Sequence, residues 1–203
     1  LMYGALRMNP IQPVYQDKEA GIYTLRNEPG VETPNPVASA KEMTDERSSS
    51  RVMGDIYAQW EFLPGLEAQV KMGADLNYNK RDHYTPSNIY EGRNVTSAYI
   101  NSSKSINWIN ENTLTWDKQF SEDHSLTVLG GITFQQQVNE YVYASSEGFV
   151  TDLTRENSLG SSTTYNQPNS GQTEWSLNSY IGRIKYNLMD KYLFTINSRI
   201  DGS

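Results

Sequence analysis

Chemistry at neutral pH usually needs histidine, thiolate or paired carboxylates, and this sequence holds few of them in usable spacing. His83 and His124 are its only histidines, and it has no cysteine. Disulfides and thiolate metal sites are therefore excluded. No HExxH, CxxC, P-loop or GxSxG spacing occurs. Glu122-Asp123-His124 sets acids beside a base, but between strand-like runs, where a solvated turn is the plain reading. Glu42, Asp45 and Glu46 offer oxygens to Ca²⁺ without the spaced ligands and turn glycine of a calcium loop. Asn94-Val95-Thr96 has the form of a glycosylation sequon. The expectation is a protein that is not an enzyme, with no cofactor and no metal. What remains is aromatic. Tyr84, Tyr90, Tyr99, Tyr165 and Trp175 fall in loop-like stretches and could stack on a sugar ring or pack against a peptide. They are the candidate ligand-binding residues; their plainer role would be to pin loops.

The elements that would carry these residues show best in Leu66–Tyr78. Every even position there is apolar: Leu66, Ala68, Val70, Met72, Ala74, Leu76 and Tyr78. Every odd position is polar or glycine: Glu67, Gln69, Lys71, Gly73, Asp75 and Asn77. Strict alternation means a strand with one apolar and one polar face. Soluble strands usually run about 5–6 residues. This one covers about 40 Å at ~3.3 Å per residue. Tilted by about 40°, it rises roughly 30 Å, the thickness of a bilayer's hydrocarbon core.

Composition fits that setting. Mean hydropathy is −0.67, and no run of 18 or more apolar residues exists to make a transmembrane helix. Barrel strands are half polar, so low hydropathy does not argue against them. The net charge of −7 excludes a basic nucleic-acid footprint. No signal peptide is visible, and the strand-like pattern is still running at Ser203, so an internal piece of a longer polypeptide is expected.

The chain divides into a loop region with short strand pieces (1–50) and a region of barrel strands (51–203). In the first, Pro10, Pro13, Pro29, Pro34 and Pro36 punctuate the chain, Gly21–Leu25 is too short to span, and Lys41–Ser50 reads as a solvated loop. The strands expected in the second are Arg51–Phe62, Leu66–Tyr78, Ser105–Asp117, Ser125 to about Tyr143, Glu174–Asn187 and one from Tyr192. Met53 and Tyr57 break the polar face of the first; Asn110 and Asn112 break the apolar face of the third. Short turns near 64, 120 and 189 alternate with long loops, 79–104 and 144–173. Outer-membrane barrels have short periplasmic turns and long extracellular loops. Trp60, Phe62, Trp116, Tyr186 and Tyr192 lie near the short turns and in phase with the apolar faces, as a periplasmic aromatic girdle requires.

Several stretches resemble the SusC/RagA-type TonB-linked outer-membrane transporters: Ser179 to Asn187, Asp190-Lys191-Tyr192-Leu193, Arg199 to Ser203, Asn112 to Trp116, Asn35-Pro36-Val37-Ala38 and the Leu63-Pro64-Gly65-Leu66 turn. The resemblance implies an all-β fold, a transmembrane antiparallel β-barrel segment of about six strands from a plugged barrel of about 22. It implies a TonB-dependent nutrient importer of oligosaccharides or peptides in the outer membrane of a Bacteroidetes-like diderm bacterium. Its partners would be a SusD-like surface lipoprotein as lid, TonB acting through a plug outside this chain, the cargo, and outer-membrane lipid. The alternatives are a passive porin-like barrel and a soluble β-rich glycan-binding or adhesin module.

Overall fold

The computed structural model describes residues 5–6, 8, 11–24, 34–92 and 95–203. Pro10, Leu25, Pro29 and Asn94 of the sequence reading lie outside them. Two short strands, β1 (Tyr15–Asp17) and β2 (Ile22–Tyr23), pair antiparallel. A seven-residue helix, α1 (Pro36–Glu42), follows. Then come β3 (Thr44–Leu63), β4 (Leu66–Thr85), β5 (Ser97–Ser121), β6 (His124–Phe149), β7 (Ser162–Tyr165), β8 (Asn169–Leu188) and β9 (Tyr192–Gly202). They form one sheet in the order β3-β4-β5-β6-β8-β9, with β7 paired to β6. Each long strand lies beside its neighbour in sequence, and the sheet is not closed.

The strands outrun the sequence reading. β3 begins at Thr44, so most of the solvated loop expected at Lys41–Ser50 is strand, and the boundary at residue 50 falls inside an element. β4 continues to Thr85 and β5 starts at Ser97, which cuts the expected loop 79–104 to residues 86–96. β6 continues to Phe149 and β8 starts at Asn169. The expected loop 144–173 becomes residues 150–161, β7 and a three-residue link. The reason is physical: alternation marks a strand only where one face is apolar and the other polar. A 20-residue strand is about 65 Å long, and tilted by about 40° it overruns a ~30 Å core. The overrunning part is free to be polar on both faces while its backbone stays paired.

One register separates the faces. Arg51 meets Asp75, Asp55 meets Lys71, and Asp45 meets Arg81. Four residues forward along β3 match four back along β4, so odd-numbered residues of both strands share one face. Lys71 also reaches Glu111 at 4.0 Å, which puts β5 in phase. Between β8 and β9, Arg183 pairs with Asn197 and Ile181 with Arg199, while Ile184 pairs with Ile196 and Tyr186 with Phe194. The even-numbered face is apolar and exposed at Val52, Ile56, Val70, Met72, Leu114, Ile132, Phe134, Ile196 and Ile200. Asn110 and Asn112 interrupt it. Asn110 Nδ2 donates to the Lys71 carbonyl at 3.2 Å, and Asn112 Nδ2 to Asn110 Oδ1 at 2.6 Å.

The chain divides into two compact units: Leu1–Ser49, Asn79–Ser103 and Tyr141–Gly171 in one; Ser50–Tyr78, Lys104–Glu140 and Gln172–Ser203 in the other. The first holds both buried apolar clusters, Tyr23 with Ala38 and Ile89, and Tyr84 with Ala98 and Phe149. The second holds the short turns. Gly65 sits at φ +76°, and a Cβ there would lie 2.2 Å from the Asp117 carbonyl oxygen, so only glycine fits. Asp117 N–H donates back to the Gly65 carbonyl at 2.7 Å. Met189 N–H donates to the Asp123 carbonyl, which joins two of the turns. On the even face near them, Trp60 packs on Phe62, Trp116 on Phe120, and Tyr186 hydrogen-bonds His124.

Candidate functional site on the polar face

The odd-numbered face collects the charged groups. In the second unit, the Arg51 guanidinium donates two bonds to Asp75, at 2.8 and 2.7 Å. Lys71 stands between Asp55 and Glu111 at 3.9 and 4.0 Å. Gly73 packs closely under β5: a Cβ there would come 3.1 Å from Ile109 Cγ2, and the isoleucine would have to give by a few tenths of an ångström. These paired charges are exposed to solvent on the odd face, and none is a nucleophile beside a base.

In the first unit, Arg81 forks onto Asp45 at 2.7 and 2.9 Å. That hydrogen bond holds the Asp45 carboxyl below its usual range. The Arg81 guanidinium lies 5.4 Å from the Tyr99 ring centroid. His83 stacks on the same ring at 4.7 Å, and Tyr143 extends the row at 5.7 Å. Burial pushes the His83 imidazole below its ordinary value, with Arg81 adding to the effect and Asp45 opposing it.

The five aromatic candidates fall in different settings. Tyr84 is the last residue but one of β4, fully buried, with its hydroxyl donating to Asp152 at 2.5 Å and its ring edge-on to Phe149. It holds a loop down and has no surface left for a ligand. Tyr99 is in β5, within the row just described. Tyr90, half-buried, is the one that lies in an inter-strand loop. Tyr165 ends β7, exposed, with its hydroxyl donating to the Gly160 carbonyl. Trp175 is an odd-numbered, exposed residue of β8 in the second unit. His83, placed in a loop by the sequence reading, lies in β4. Among the described residues, no group of three histidines or carboxylates is placed to hold a metal.

Asp152 shows how the loop after β6 is fixed. It accepts from the Tyr84 hydroxyl, the Ser87 hydroxyl at 2.7 Å and the Ser87 N–H. Burial alone would raise its carboxyl, but these donors outweigh burial and hold it below its usual range. A depressed carboxyl contributes stability that is fully present above the unfolded value, about 3.9, and lost as pH falls through the lower folded value. Amide protection in residues 150–161, corrected for intrinsic exchange, is therefore expected to hold from pH 7 to about 4 and to fall below that. Protection lost between pH 7 and 5 would contradict this role for Asp152.

No protein-family model matches the chain. Individual proteins do. TonB-dependent receptor P3 of Formosa agariphila is 35% identical over 90% of this chain, and TonB-dependent receptor P26 of the same organism is 31% identical over 99%. TonB-dependent receptor SusC of Bacteroides thetaiotaomicron is 25% identical over 98% of the chain. The chain belongs to the SusC-type TonB-dependent receptors. It spans 18%, 21% and 21% of the length of these three relatives, so it is similar to one segment of each. The RagAB peptide transporter structure superposes with a TM-score of 0.78 over 89% of this chain and 20% of that one, at 19% identity. Its fold is thus that of a segment of a SusC-type transmembrane barrel.

The receptor-like motifs now have physical roles. Asn35-Pro36 opens α1: Asn35 Oδ1 accepts from the N–H groups of Val37 and Ala38, and proline occupies the first turn. The Pro64-Gly65 turn joins β3 to β4. The ion pairs Arg51–Asp75 and Arg81–Asp45 were missed in the sequence. Polar-face parity was the signal for them, but the turn does not fix which rung pairs with which.

Proposed function

We propose that the chain forms part of the wall of an energised outer-membrane importer of oligosaccharides or peptides. The apolar even face meets outer-membrane lipid, and the odd face lines the lumen or meets a plug. The three short turns lie on the periplasmic side, and the connections 86–96 and 150–161 lie outside. A SusD-like lipoprotein caps the outer side as a lid, and TonB, through a plug outside this chain, drives cargo inward. The observation that carries the reading is the separation of faces: long strands in one register, apolar on one side and ion-paired on the other. The relatives' names and the RagAB likeness support it.

The test is uptake of labelled oligosaccharides and peptides by cells carrying the whole protein, before and after a protonophore collapses the proton gradient. Uptake is expected to stop with the gradient. Uptake that continues unchanged would mean a passive pore. Recovery of the protein in the aqueous fraction, without detergent, would mean a soluble module.

A further inference from the structure

Two arginines of the odd face, Arg47 and Arg183, have no ion-pair partner among the described residues; Arg183 donates instead to Asn197 at 2.8 Å, in the second unit. Arg47 lies in β3, exposed, two residues from Asp45 and therefore on its face. Asp45 cannot neutralise it, because both carboxylate oxygens are taken by Arg81. Arg81, which holds Asp45, lies 5.4 Å from the Tyr99 ring centroid, so Arg47, Arg81 and that ring share the odd face of the first unit. The row of His83, Tyr99 and Tyr143 rings continues this face across β4, β5 and β6. His83 Nδ1 in that row is buried without a hydrogen-bond partner, while Nε2 meets Thr85 Oγ1. Arg47, Arg81 and Asp45 together leave one positive charge in a chain whose net charge is −7. Glu147, a further acid of this face, is four residues beyond Tyr143 along β6.

We propose that Arg47 and the Tyr99 row form a subsite for a carboxylate-bearing cargo, resting on the importer reading above. The guanidinium fork binds a carboxylate with two parallel N–H···O bonds. The sources of that group are a uronic-acid residue of an oligosaccharide or the free C-terminus of a peptide. The aromatic row supplies ring surface and phenol hydroxyls to the adjoining cargo unit. A neutral cargo gains nothing from Arg47.

The test is calorimetric binding to the whole protein with its lid, wild type against Arg47→Gln and, separately, Tyr99→Leu. The probes are an oligogalacturonate and its carboxyl-reduced form, and a short peptide with a free or an amidated C-terminus. Arg47→Gln is expected to weaken binding of one carboxylate probe by roughly tenfold or more, with its neutral counterpart unchanged. The probe pair that responds names the source. Tyr99→Leu is expected to weaken both members of that pair. Equal affinity of wild type and Arg47→Gln for every probe would overturn the subsite, as would equal losses for charged and neutral forms. Binding of no probe by wild type would overturn it too, while the protonophore assay judges the importer reading separately.

Discussion

Lysine in place of Val70 is expected to destabilise the folded barrel by about 2–4 kcal/mol, the cost of a lysine facing lipid near the bilayer midplane. Val70 is 46% exposed on the even face, near the middle of the Leu66–Tyr78 alternation. Its backbone pairing would survive the change, so the whole effect comes from the ammonium group entering hydrocarbon. Gln69→Lys is the control. It adds the same group one residue away, on the face where Lys71 already stands between Asp55 and Glu111. Its cost is expected to be under about 1 kcal/mol, the usual range of hydrated surface changes. Equilibrium urea unfolding of both variants of the whole protein in phospholipid vesicles reads the difference. Equal destabilisation at the two positions would refute the facing assignment.

Asn35→Ala is expected to cost the first unit about 2–3 kcal/mol, from a lost helix cap together with two lost hydrogen bonds to part-buried carbonyls, of which the Val14 oxygen keeps the Thr24 N–H. Asn35 is 2% exposed. Its Nδ2 donates to the Val14 carbonyl at 2.8 Å and the Thr24 carbonyl at 3.2 Å, while Oδ1 caps α1. One side chain thus ties the segment around β1 and β2 to the helix that carries Ala38, Ser39 and Lys41. Asn35→Asp keeps the cap and loses both donors, so an intermediate effect is expected. Hydrogen exchange of the α1 amides would measure both. Protection unchanged in Asn35→Ala would show that the packing of Tyr23, Ala38 and Ile89 holds the helix unaided.

What the sequence made legible was the part of the sheet whose side chains alternate strictly between apolar and polar. Leu66 and Tyr192 were placed as strand starts because apolar alternation begins there. The segments Thr44–Ser50 and Asn79–Thr85 are strand without an alternation to announce it. Asp45, Arg47, Lys80, Arg81 and Asp82 are polar on both faces, and their pairing is sustained by backbone hydrogen bonds and by Arg81–Asp45 across 36 residues. The role of Tyr84 was hidden for a related reason. Its partner Asp152 is 68 residues away, and no local pattern announces such a contact. Tyr99 was legible as an unexplained aromatic, but its neighbours His83 and Tyr143 come from adjacent strands, in a register the turns do not set. The family was legible through turns and caps, such as Pro64-Gly65 and Asn35-Pro36, where one backbone geometry demands one residue type.

The most direct test of the central claim, that these strands wall a membrane barrel, is a spin-label scan of Leu66 to Tyr78 in the whole protein in lipid bilayers. Each position is labelled in turn, and its collisions with oxygen, which dissolves in lipid, and with a water-soluble nickel chelate are measured. Oxygen access is expected to peak at positions 68, 70, 72, 74 and 76 and nickel access at 67, 69, 71, 73 and 75, a period of two along the strand. Accessibility to both reagents without that period, or nickel access at Val70 and Met72, would contradict it.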